Sequence, residues 1–200
     1  MSSVSTEKTR RMAGLSILTA LVIVLQIVAT FVKIGAFPVT LTLVPIVIGG
    51  ALYGRKAGAW LGGVFGFVVM LMCITGGDGG GAILWNANPV LCGALCMVKG
   101  IAAGWAAACM YKAVSSKSDT GAVVSAAIIS PVVNTGIFII GVLAFFQPTL
   151  LDWAGVAGMD VVNYILFGLA GVNFIIEMVL NIVLSSVIER IVNYRVRALA

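Results

Sequence analysis

The chain has no histidine, and only 10% of its 200 residues are charged. The missing imidazole removes the commonest general base, proton relay and metal ligand together. No GxSxG elbow, HExxH pair, DxxD pair or Walker motif occurs, so hydrolase, metalloprotease and ATPase chemistry have no recognisable machinery. The scarcity of charge is equally informative. Soluble domains carry about 25% charged and about 45–50% apolar residues, whereas this chain is 61% hydrophobic. One soluble core cannot bury that much, and the composition reads as an integral membrane protein.

The few charges are strongly ordered. Ten of the twelve basic residues fall in four clusters at alternate ends of the apolar stretches: Lys8, Arg10 and Arg11; Arg55 and Lys56; Lys112 and Lys117; Arg190, Arg195 and Arg197. The intervening connections hold Asp78, Asp152 and Asp160, which read as solvated surface acids. Basic residues gather on the cytoplasmic side, so both termini are expected there. The net charge of +5 then reflects orientation and contact with anionic lipid. With no helix-turn-helix, RNA-binding or zinc motif, it implies no nucleic-acid partner.

A helix needs about 20 apolar residues to cross the hydrocarbon. The stretches Met12–Val32, Val39–Tyr53, Ala57–Thr75, Pro89–Tyr111, Gly121–Phe146 and Val161–Ile188 predict an all-α membrane protein with six spans. They form one domain over residues 1–200, with cytoplasmic tails at 1–11 and 189–200. The second stretch is short and holds Pro45, so a tilted, kinked or shielded helix is expected there. Gly58, Gly62 and Gly66 form a double GxxxG pattern, which lets a neighbouring helix approach closely. Five glycines lie within residues 75–81. That segment lacks the GK[ST] ending of a phosphate loop and reads as a mobile outer connection, either a gate over a cavity or plain linker.

The cysteines are Cys73, Cys92, Cys96 and Cys109, all within apolar stretches. Cys92 and Cys96 share a helix face, but without histidine or a CxxC pair they read as buried small hydrophobes. Neither a metal nor a cofactor is expected.

Polar groups at membrane depth are costly and face an interior or a cavity. Lys99 lies well inside the fourth stretch, Asn134 sits mid-depth in the fifth, and Asn173 and Glu177 lie one turn apart in the sixth. Two readings follow. Lys99 and Glu177 neutralise each other, or Lys99, Asn134 and Asn173 line a cavity open to the outside. In the second reading the ammonium attracts a carboxylate or phosphate and the amides fix hydroxyl or amide groups. Trp85, Asn86 and Asn88 then close above the cavity.

The run from Leu43 through Pro45, Gly49, Tyr53, Gly54, Arg55, Lys56 and Gly58 to Ala59 resembles the second-hairpin signature of S components of energy-coupling factor (ECF) transporters. Arg55 stands where proline is usual. The six-span layout, the Asn88-Pro89 helix opening and the Lys99-Gly100 pair are also similar. The resemblance implies an S-component-like bundle in a prokaryotic cell membrane. It implies a subunit that is not an enzyme and binds a water-soluble vitamin tightly from outside. Its implied partners are a transmembrane coupling protein and two cytoplasmic ATPases. Docking in that family uses small residues four apart on helix one, for which Ser16 and Ala20 are the nearest candidates. The pairing of Lys99 with Asn134 resembles the pantothenate-specific branch. Riboflavin would call for more aromatic area than helices four to six offer, and folate for more positive charge. The rivals are a stand-alone secondary transporter, with Glu177 as its proton-coupled acid, and a non-carrier membrane subunit.

Overall fold

A computed structural model describes the backbone of residues 2–31, 33–34, 37–38, 41–169 and 171–197, with side chains for 7–31, 41–169, 171 and 174–194. Helix α1 (Ser2–Ala29) leads to a two-residue antiparallel pairing of β1 (Lys33–Ile34) with β2 (Phe37–Pro38). Then follow α2 (Leu43–Tyr53), α3 (Arg55–Thr75), α4 (Gly79–Ala87), α5 (Pro89–Val114), α6 (Asp119–Phe145) and α7 (Gln147–Val156). The last span begins as α8 (Val161–Asn163), widens into a π-helical segment at Tyr164–Leu169, and resumes as α9 (Gly171–Arg197).

The element boundaries follow local chemistry. Gly54, at φ 85°, lets α2 reverse directly into α3, and Gly76, at φ 78°, ends α3 in the left-handed region open to glycine. Asn88 caps α5 by accepting from the Leu91 N–H at 3.1 Å, and Pro89 occupies the first turn, where no N–H is needed. Ser118 caps α6 by accepting from the Gly121 N–H at 3.0 Å.

Two sequence expectations are revised and a third, the count of six spans, is met only in part. Among the described residues, five helices are long and apolar enough to cross a membrane, not six. The exception is α2, whose 11 residues reach only about 16 Å at 1.5 Å per residue. It is tolerated because neighbours enclose it: Leu43, Ile46, Val47, Ile48, Gly49 and Gly50 are all buried. The glycine-rich segment is not an open loop from Gly79 onward but the start of α4, and the following connection holds α7. Asp78 is not a solvated acid. It is 6% exposed and caps α4 by accepting from the Gly81 N–H at 3.0 Å.

The bundle is held together by close backbone approach. Gly58, Gly62 and Gly66 of α3 face Gly104, Gly100 and Cys96 of α5. A Cβ at Gly58 would overlap the Gly104 carbonyl oxygen, one at Gly62 that of Gly100, and one at Gly66 that of Cys96. The reciprocal overlaps hold for Gly100 and Gly104. The GxxxG reading of α3 thus has its counterpart in a Cys96-x-x-x-Gly100-x-x-x-Gly104 series on α5, as expected where packing rather than hydrophobic force joins helices. Around this seam lies a core of Leu43, Ile46, Leu61, Phe65, Leu84 and Val142. Exposed apolar side chains such as Ile17, Trp60, Ile140, Phe167 and Val183 cover the outside, where lipid would meet them.

One end of the bundle gathers the basic clusters. There an Arg11 guanidinium N–H donates to the Tyr53 carbonyl at 2.8 Å, and the Thr120 hydroxyl donates to Glu189 at 2.7 Å. The opposite end carries α4, α7 and the acids Asp78, Asp152 and Asp160.

Candidate functional site

A cavity of about 90 Å³, room for several water molecules, lies between α3, α4, α5, α6 and the last span. Lys99 lines it from α5, about 15 Å along the helix axis from Pro89. Its ammonium lies 4.9 Å from the ring centroid of Phe138 on α6, within range of a cation–π attraction. Asn134, one turn earlier on α6, also lines the cavity. It is 7% exposed, and its Oδ1 has no hydrogen-bond partner among the described residues. A buried acceptor left so costs about 1–3 kcal/mol and suits a donor arriving from the cavity.

The structure brings Lys99, Asn134 and Glu177 to one cavity. Asn173 lies on α9, but its side chain falls outside the described residues. The other three candidates sit elsewhere. Trp85 packs against the apolar core beside Gly93, Asn86 is exposed on α4, and Asn88 is occupied as the α5 cap. Ser16 and Ala20 are both exposed on α1.

Several lining residues escaped the sequence reading. Gln26 reaches the cavity from α1 and accepts from the Thr42 hydroxyl at 3.1 Å, which satisfies two buried polar groups near the start of α2. Asp78 borders the cavity from the α4 cap, and Phe138 and Phe174 supply aromatic faces. A glutamine amid an apolar run was a visible signal for the first. Cys73, Cys92 and Cys96 also line the wall, with their sulfurs all within 4.8 Å of one another. The π-helical segment ends at Leu169, another lining residue, so the irregular backbone adjoins the cavity, as such segments often adjoin functional sites.

Five helices long and apolar enough to cross a membrane, each lending residues to one mostly apolar cavity with a few polar side chains, indicate a multi-pass membrane protein. Residues 10–189 match the sequence model of the ECF transporter, substrate-specific component. The chain belongs to that family and is a transporter subunit rather than an enzyme. It matches no curated protein and no solved structure.

Proposed function

We propose that the chain captures a small water-soluble vitamin from outside the cell, with pantothenate the best complement, and passes it inward with energy from partner ATPases. The observation that carries this reading is the presence in one cavity of Lys99 and of Asn134, whose Oδ1 has no hydrogen-bond partner among the described residues. Pantothenate offers a carboxylate for the ammonium and amide and hydroxyl donors for the amide oxygen. Phe138 holds the Lys99 head group in place, which lowers the entropy lost on binding. Asn173, whose side chain lies outside the described residues, is the candidate for a second amide, and α4, which borders the cavity through Asp78, Gly81 and Leu84, acts as the cover. Orientation follows the basic clusters, with both termini cytoplasmic and the α4–α7 end outside.

Docking on a coupling protein would use the face of α1 that carries Ser16 and Ala20. Both are exposed in the bundle, and their small side chains permit close helix contact. Two cytoplasmic ATPases would act through that partner.

One observation favours a second substrate class. Asp78 and Glu177 share the cavity with Lys99, and two carboxylates suit a vitamin that carries a cation. Titration of the detergent-purified chain against a vitamin panel separates the two. Saturable pantothenate binding, weakened about 10- to 100-fold in Lys99→Ala and retained in Glu177→Gln, supports the first reading. Binding of a cationic vitamin that weakens in Glu177→Gln replaces it. A folded chain that binds no vitamin overturns both.

A further inference from the structure

The chain has four cysteines, and three of them converge. Cys73 stands two residues before the end of α3, and Cys92 and Cys96 lie one turn apart on α5. All three are buried and line the cavity. Their sulfurs lie within 4.8 Å of one another, a grouping able to hold a metal ion. From these observations we infer that Cys73, Cys92 and Cys96 form a three-thiolate site for a soft, closed-shell divalent cation of the zinc and cadmium class.

The geometry is close to what such an ion needs. Zinc–thiolate bonds of about 2.3 Å in a tetrahedral arrangement set sulfurs about 3.8 Å apart, so small side-chain rotations bring this trio into range. The scaffold is rigid where it matters. The glycine seam presses α3 onto α5 at the Cys96 carbonyl, and a Cβ at Gly81 would crowd the Cys73 sulfur. Thiolate ligands select soft cations over magnesium or calcium.

The protons also balance. Binding deprotonates three thiols and forms three metal–sulfur bonds, releasing three protons to solvent. The Cys92 thiol gives up its hydrogen bond to the Gly81 carbonyl, at 3.8 Å. Three thiolates around a divalent ion carry a net charge of −1. Lys99, three residues beyond Cys96, lines the same cavity, as do the acids Asp78 and Glu177. A three-thiolate set leaves the fourth tetrahedral position for a water or a group from the cavity.

The alternative is that the cysteines only fill space. A cadmium titration of the reduced, metal-free full chain in detergent decides, followed by the ultraviolet thiolate-to-cadmium charge-transfer band. It is run without vitamin, so its outcome is independent of the proposed substrate. The expected result is saturation at one cadmium per chain, release of three protons, and displacement by zinc but not by magnesium. Cys109→Ser, which alters the cysteine outside the cluster, leaves the band and the proton count unchanged. Each of Cys73→Ser, Cys92→Ser and Cys96→Ser weakens binding at least about tenfold, with elution volume and helical circular dichroism retained. A wild-type chain that shows no saturable band overturns the site without recourse to any variant. So does a band that persists with unchanged affinity in a single-cysteine variant of the cluster.

Discussion

Helix α5 has two very different sides. Towards α3 it offers Gly100 and Gly104, with no side chain in the way and carbonyl oxygens set against facing glycines. Towards α6 it offers Lys99, whose ammonium rests over Phe138 in the cavity that Asn134 also lines, its Oδ1 without a hydrogen-bond partner among the described residues. The first side is satisfied and has no slack, while the second holds an ammonium over an aromatic ring and a buried amide oxygen with no hydrogen-bond partner among the described residues. A membrane protein cannot rely on hydrophobic force between helices, so a site with open polar groups must be braced by packing elsewhere. The difference teaches that the rigid seam is what makes the adaptable cavity affordable.

The comparison breaks most visibly at the seam. Gly62→Leu drives a side chain into the Gly100 carbonyl, and a loss of stability of about 3 kcal/mol or more is expected, read as a collapse of the thermal transition in detergent. If that variant unfolds like the parent, the two sides of α5 do not differ as described. On the cavity side, Asn134→Leu removes the acceptor and its burial cost together. Affinity for the proposed vitamin is expected to fall about tenfold by calorimetry, with the melting temperature held or raised. The Asn88 cap tests a position that belongs to neither side. Asn88→Ala is expected to cost about 1 kcal/mol of stability while the dissociation constant stays unchanged, whereas a large drop in affinity would move Asn88 into the binding site.

The smallest effect lies at Asp160, which is fully exposed at the acidic end. The Asn163 backbone N–H, donating at 3.2 Å, and then its side-chain amide hold the Asp160 carboxyl below its ordinary range. A depressed value in the folded chain means the ionised form stabilises it above the unfolded value of about 3.9. That stabilisation fades as pH falls through the folded value. Asp160→Asn keeps a capping side chain, so it is expected to lower the melting temperature slightly at neutral pH and not at all in acid. A difference that persists at low pH would place the effect elsewhere.

Much of this arrangement was legible in the chain. Apolar length located the five helices long enough to cross a membrane, the GxxxG spacing marked α3 as a packing face, and the cost of burying charge drew attention to Lys99, which lines the cavity. What was hidden arose from contacts between distant segments. Glycines in the 76–81 segment suggested mobility because backbone freedom dominates in an unpartnered chain. In the fold, Asp78 caps the segment, burial of Gly80, Gly81 and Leu84 follows, and a helix results. Cys73 lies 19 residues before Cys92 in the sequence, with a turn and α4 between them, so no local spacing announced the three-sulfur cluster. The length of α2 was readable only as an anomaly, because its enclosure depends on neighbours that the sequence does not place. Asn86 and Asn88 looked like site residues from their polarity, yet a cap and an exposed helix position account for them.

The seam has a genetic consequence. Every missense change in a glycine codon installs at least a Cβ, so Gly58, Gly62, Gly66, Gly100 and Gly104 have no conservative neighbour within reach of a single base change. Random mutagenesis followed by selection for uptake of the proposed vitamin should therefore leave a four-residue periodicity of intolerant codons along α3 and α5, while the cavity codons tolerate change.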